Sequence, residues 1–258
     1  MTRLLAGTVA TATASALLVA CSTSPASLER ATADLPGVVR VRAQENDGDD
    51  DIPFAEIPKY LTITMTADAS AAQVMDVFDA YGGEIDDGSV ESVEVTLEGS
   101  RHATLATGAG IHADRTMVDD LVAAQRDAGV VRFRREAYPV LPNASIRLDD
   151  TATLDEVVAV ADRYAALEEI EAFDVAAGPY RLSLDTANGS TRLYEERMRL
   201  TRRLAARFRL LGVEVSSDGP MEIAVAASDR KALDHLLRRS RGAASLGRVE
   251  VRTVSAEG

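Results

Sequence analysis

Four groups of residues have the types and spacing to do chemistry. Gly108-Ala109-Gly110-Ile111-His112-Ala113 matches G-x-G-x-x-[G/A] between a predicted strand and a predicted helix. In a dinucleotide site such glycines let the backbone close on a pyrophosphate at the helix N-terminus. The strand before it is too polar for that fold and Asp114 is the better N-cap, so the glycines read as a loop and no cofactor is expected. His102, His112 and Asp114 are clustered metal-ligand types, and catalytic zinc uses three protein ligands with one open position. One of these histidines belongs to a strand and the other two residues to the next loop, so no metal is assigned. His235 takes a solvent-facing helix position, which leaves no general base for a serine nucleophile. The acidic loop 45–51 offers hard oxygen ligands of the kind Ca²⁺ takes, but it lacks the Gly at the sixth place and the Glu at the twelfth that an EF-hand needs. It reads as a solvated loop. No catalytic residue is assigned.

The fourth group is basic. Thr191–Leu211 is predicted as one long helix with an apolar stripe through Leu193/Tyr194, Met198, Thr201, Leu204/Ala205, Phe208 and Leu211. Arg197 and Arg207 flank the stripe. Arg199, Arg202, Arg203 and Arg209 cover much of the remaining surface and are the candidate contacts to an anionic surface, beside the plainer use of solvating the helix.

The elements that must position these residues alternate in period. Leu61, Ile63 and Met65 alternate with Thr62, Thr64 and Thr66, the pattern of a strand buried on one face. Val74, Val77, Phe78 and Tyr81 follow at helical spacing, and Val93, Val95 and Leu97 alternate again. Four further strand–helix–strand units follow: 102–135, 144–175, 180–216 and 221–253. Two helices open with capping boxes, Ser70 with Gln73 and Thr153 with Glu156. Matching helix spacings after Ser70, Thr153 and Asp229 suggest internal duplication. The spacing turns Phe78 and Leu236 inward and Thr62 outward.

Paired in twos, the units give ferredoxin-like β-α-β-β-α-β modules over 36–98, 101–176 and 179–253, after a tether at 21–35. The predicted class is α+β, a tandem of two-layer α/β sandwiches. Alternating strands favour this over a doubly wound fold, whose strands are covered on both faces.

Composition narrows the function. Only 4% of residues are aromatic and none is Trp, which argues against a stacking pocket for sugars or bases. The net charge of −13 excludes nucleic acid as the natural partner. That charge divides unevenly: residues 1–178 sum to −18 and residues 179–258 to +5. Two lysines, Lys59 and Lys231, against 26 arginines suggest GC-rich coding, as in actinobacteria.

Arg3 precedes an uncharged stretch from Leu4 to Ala20 that ends in small residues, and Cys21, the single cysteine of the chain, follows at once. Leu18-Val19-Ala20-Cys21 resembles the lipobox of bacterial lipoprotein signal peptides. The resemblance covers about the first 25 residues. It implies removal of residues 1–20, a diacylglycerol on the Cys21 thiol, palmitate-type acylation, and residence on the extracytoplasmic face of the cell membrane. No disulfide framework can form with one cysteine. Together these features give the expectation of a lipid-anchored envelope protein with a non-catalytic binding or scaffolding role. Its partners are expected to be membrane lipid through Cys21 and another envelope protein or anionic polymer. A substrate-binding lipoprotein of an uptake system and a wall-acting hydrolase are the alternatives.

Overall fold

The computed structural model describes residues 24–45, 59–99, 102–108, 110–239 and 246–254. The signal stretch, Cys21 and residues 46–51 of the acidic loop lie outside them. Ser24 caps helix α1 (Pro25–Thr32) by accepting from the Ser27 amide. That helix packs on strand β1 (Val38–Glu45), and Leu28 is fully buried beneath it. Tyr81 secures the contact: its hydroxyl donates to the Leu28 carbonyl at 2.8 Å and lies 2.6 Å from the Thr32 hydroxyl.

Strand β2 (Lys59–Met65) leads into α2 (Ala71–Asp79) and the short α3 (Gly82–Asp86), and the chain returns as β3 (Val90–Leu97). The glycine pair Gly82-Gly83 thus opens α3, while α2 has already ended at Ala80. The next units are β4 (His102–Gly108), α4 (Arg115–Arg126), β5 (Val130–Ala137) and β6 (Asn143–Leu148), α5 (Leu154–Ala165), β7 (Ala172–Ala177). They are followed by β8 (Tyr180–Asp185), α6 (Thr191–Ala205), β9 (Leu210–Val215) and β10 (Met221–Ala226), α7 (Arg230–Arg239), β11 (Val249–Val254).

The tandem ferredoxin-like arrangement is overturned. The eleven strands of the described residues form one mixed sheet in chain order, so the fold is α/β with a single sheet and not a row of α+β sandwiches. A ferredoxin-like module leaves a gap between the two strands of each β-α-β unit for a strand of the other unit. Here the two strands pair directly and in parallel, as Ile63 with Val95 and Leu105 with Arg135. Antiparallel hairpins then run across both predicted boundaries: Leu97 pairs with Ala103, and Ala177 with Tyr180.

One cross-strand row shows how the layers are built. Ile63, Val95, Leu105, Arg135, Ala144, Phe173 and Leu184 are consecutive partners on one face, and all but Arg135 are apolar. The helices cover that face. Helix α2 contacts α4, Arg163 of α5 reaches Asp120 of α4, and Arg202 of α6 reaches Asp162 of α5. The other face carries Thr64, Glu94, Thr104, Arg134, Ser145 and Asp174 and has no helix on it among the described residues. Strand direction reverses at every hairpin while the helices stay on one face. Successive crossovers therefore alternate in hand, and at least two of the five run against the right-handed preference.

Phe78 is buried and Thr62 exposed, in keeping with their spacing, whereas on α7 it is Leu233 that is fully buried and Leu236 only half so. Both capping boxes form. Gln73 Oε1 accepts from the Ser70 amide at 2.8 Å, and Glu156 Oε2 from the Thr153 amide at 2.7 Å. Ser70→Ala should cost about 1 kcal/mol in urea denaturation; an unchanged midpoint would contradict the cap. The hydrogen bonds from Thr153 lower the Glu156 carboxyl, so its contribution is present above the ordinary glutamate range and is lost as pH falls through the lowered value. Glu156→Gln should remove that acid-sensitive part.

Candidate functional site

The residues singled out for chemistry do not converge. His102 lies exposed on the outward face of β4, opposite Arg132. His112 sits in the loop before α4 with Nε2 2.8 Å from Asp86 Oδ1, and Asp114 accepts from the Met117 amide as the α4 N-cap. Among the described residues, no group of three or more His, Cys, Asp or Glu side chains could hold a metal ion. Gly108 has its own use: a Cβ there would stand 2.3 Å from the Glu91 carbonyl oxygen, so the glycine lets β4 close against β3.

Two buried arginines, neither selected from the sequence as functional, hold the helix layer to the sheet. Arg135 follows from strand parity, because Phe133, Arg135 and Ala137 all point to the helices. Its guanidinium is 1% exposed, and Nη1 donates to Asp120 Oδ2 at 2.7 Å while Nη2 donates to Glu169 Oε1 at 3.1 Å. Asp120 lies on the buried side of α4, between Met117 and Ala124, and its second oxygen accepts from Arg163 on α5. Burial pushes the Asp120 carboxyl up, against the pull of Arg163 and Arg135. Arg163 also lies over the Tyr164 ring, 5.7 Å from its centroid. This is a structural clamp joining β5, α4 and α5. Its charges face one another, not a solvent-filled cleft.

Arg197 of α6 is the second. It is 1% exposed and, among the described residues, bonds to backbone alone: Nε to Leu246 O at 3.0 Å, and Nη1 to Ser216 O at 2.5 Å and Gly219 O at 2.7 Å. Burial lowers its pKa, with Asp218 pulling the other way.

The uncovered sheet face is polar and paired. Arg134 bridges Glu94 at 3.0 Å and Glu136 at 2.6 Å, Arg181 meets Asp174 at 2.8 Å, and Arg252 meets Glu222 at 2.7 Å. Burial raises the Glu136 carboxyl, but hydrogen bonds from Asn143 and Arg134 bring it below the ordinary range. A depression of about 430 Å³ lies on this face between Ser145, Asp174, Arg181, Ser183 and Asp218.

The arginine helix is shorter than its apolar stripe. It ends at Ala205, because the Arg207 and Phe208 amides turn back to the Leu204 carbonyl and the chain enters β9 at Leu210. Arg209 is therefore in the turn. Arg199 Nε donates to the Glu195 carbonyl at 3.3 Å, and Arg202 bonds both oxygens of Asp162 at 2.5 Å. Arg203 instead turns toward α7. With Arg207, Ala232, His235, Leu236 and Arg239 it lines a groove of about 450 Å³. Among the described residues no helix is long and apolar enough to cross a membrane. The chain matches no family model, no curated protein and no solved structure.

Proposed function

We propose that this chain is a membrane-anchored extracytoplasmic lipoprotein with a non-catalytic binding or scaffolding role in the cell envelope. The observation that carries this reading is Leu18-Val19-Ala20-Cys21 at the end of an uncharged stretch. Geometry is in keeping with it. The described structure begins at Ser24, three residues after Cys21, a span that extended chain would cover in about 10 Å. Eleven strands in one sheet make a platform roughly 50 Å across, with a charged, uncovered face suited to contact with a partner. Diacylglycerol plus an amide-linked fatty acid would hold such a platform stably at a membrane, where one chain gives only marginal binding.

Cys21→Ala tests this. The wild-type chain should yield a mature N-terminus at Cys21 carrying lipid, by mass spectrometry, and should fractionate with membranes. The variant should keep residues 1–20 and carry no lipid. A wild-type N-terminus elsewhere, with no lipid on Cys21, would refute the anchor.

A further inference from the structure

Among the described residues, some arginines of the helix layer are paired with a carboxylate and others, Arg126, Arg199 and Arg238 among them, are not. Arg115, Arg163, Arg192, Arg202 and Arg230 each lie within ion-pair distance of a carboxylate. Arg203, Arg207 and Arg239 have no carboxylate partner among the described residues, and they meet in the groove between α6 and α7. Spacing brings them there. Ala232, His235, Leu236 and Arg239 stand at i, i+3, i+4 and i+7, one face of α7, while Arg203 lies in the last turn of α6 and Arg207 in the turn that follows it.

The end of α6 and one face of α7 thus turn basic side chains toward one seam, and no carboxylate lines it among the described residues. The helix dipole explains part of this, since cations are favoured at a helix C-terminus. It explains Arg203 at the end of α6, Arg207 just beyond it, and Arg239 on α7, each taken alone. It does not explain why these side chains converge, or why His235 in the middle of α7 joins them. Facing like charges cost free energy unless an anion lies between them. Guanidinium forks match phosphate oxygens in geometry and charge. Ala232 and the half-buried Leu236 add an apolar floor, and the volume lies within the range of small-ligand sites.

We propose that the α6–α7 groove binds a phosphate ester of a small polyol, with the phosphate held by Arg203, Arg207, Arg239 and His235 and the polyol carbons resting on Ala232 and Leu236. This deepens the binding role proposed above without needing the anchor, whose own test reads the N-terminus and not the groove. This chemistry is shared by a soluble ester, a polyol-phosphate polymer and a phospholipid headgroup, and the vesicle arm of the titration separates the lipid from the other two.

The test is calorimetric titration of the full chain, purified in neutral detergent, with glycerol 3-phosphate, with inorganic phosphate, and with phosphatidylglycerol vesicles. Saturable one-site binding of the ester is expected. Arg203→Gln and Arg207→Gln should each weaken it about tenfold, the loss of one charge-assisted hydrogen bond. Arg126→Gln, at the end of α4, should leave it unchanged. All three side chains are exposed, so thermal melts should not move. The proposal fails if the ester does not bind saturably, if Arg126→Gln weakens it as much, or if only vesicles bind. Inorganic phosphate binding as tightly as the ester would overturn the assignment to a polyol ester.

Discussion

Asp120→Ala should cost about 3 kcal/mol of stability, the lower end of the range for removing one partner of a buried ion pair. The lower end applies because Arg135 would keep Glu169, whose side chain is 42% exposed and whose hold is screened by solvent. What Arg135 would lose is its inner acceptor at 2.7 Å, in a cross-strand row otherwise made of apolar side chains. Arg163 would lose its partner at little cost, being more than half exposed. Asp120→Asn keeps an acceptor and should cost less than Ala. The raised carboxyl fixes the sign of the pH effect. Ionising Asp120 is harder in the fold than in the unfolded chain, so its contribution is complete below the ordinary carboxylate range and declines as pH rises through the raised value. Asp120→Leu with Arg135→Met should recover most of the loss, since apolar replacement of a whole buried pair is often neutral or better. Urea denaturation of the three variants checks the set. If the double variant were the least stable, Asp120 and Arg135 would not act as a pair.

How much of this was legible in the sequence depends on the kind of information each feature needs. Strand alternation assigned faces well: Ile63 and Val95 are inward, Thr62 and Thr64 outward. Alternation does not say which strand pairs with which. A ferredoxin-like interleaving and a sheet in chain order need the same inward residues, and the right-handed crossover preference weighs against a sheet whose crossovers alternate in hand. The hairpins decided the matter, through pairs such as Leu97 with Ala103 that lie across predicted boundaries. Helical periodicity carried the arginine helix too far, because Phe208 and Leu211 keep the apolar spacing after the backbone has turned at Ala206. Arg135 and Asp120 were readable in principle, as charges on faces that parity and spacing make apolar. The α6–α7 groove was not, since Arg203 and Arg239 meet only through the packing of two helices separated by a hairpin.

Arg197→Met should be as damaging, for a different reason and in a different place. Among the described residues no carboxylate bonds this guanidinium. It satisfies three carbonyls, one before β11 and two in the β9–β10 hairpin, and so ties α6 to both. Met fills much of the volume but donates nothing. Each carbonyl left without a donor costs about 1–3 kcal/mol if it stays dry, so the sum is about 4 kcal/mol once water reaches one of them. For a chain of this size that is a fall in Tm of roughly 8–16 °C. Arg197→Lys keeps the charge but gathers its donors at one point, which cannot serve Leu246 and Gly219 together, and should lie between the two. The damage should also be local first. Strand β11 is an edge strand, paired on one side only, and Gly247 at its approach takes a positive φ of 65° with Arg197 Nη2 close by. Without the guanidinium, that approach loses its attachment to α6. Amides of β11 should then exchange with solvent before those of β9 and β10, whereas in the wild-type chain the three strands should open together. Uniform exchange across the sheet in Arg197→Met, or a melt unchanged from wild type, would show that the last crossover is held by its apolar contacts and not by this arginine.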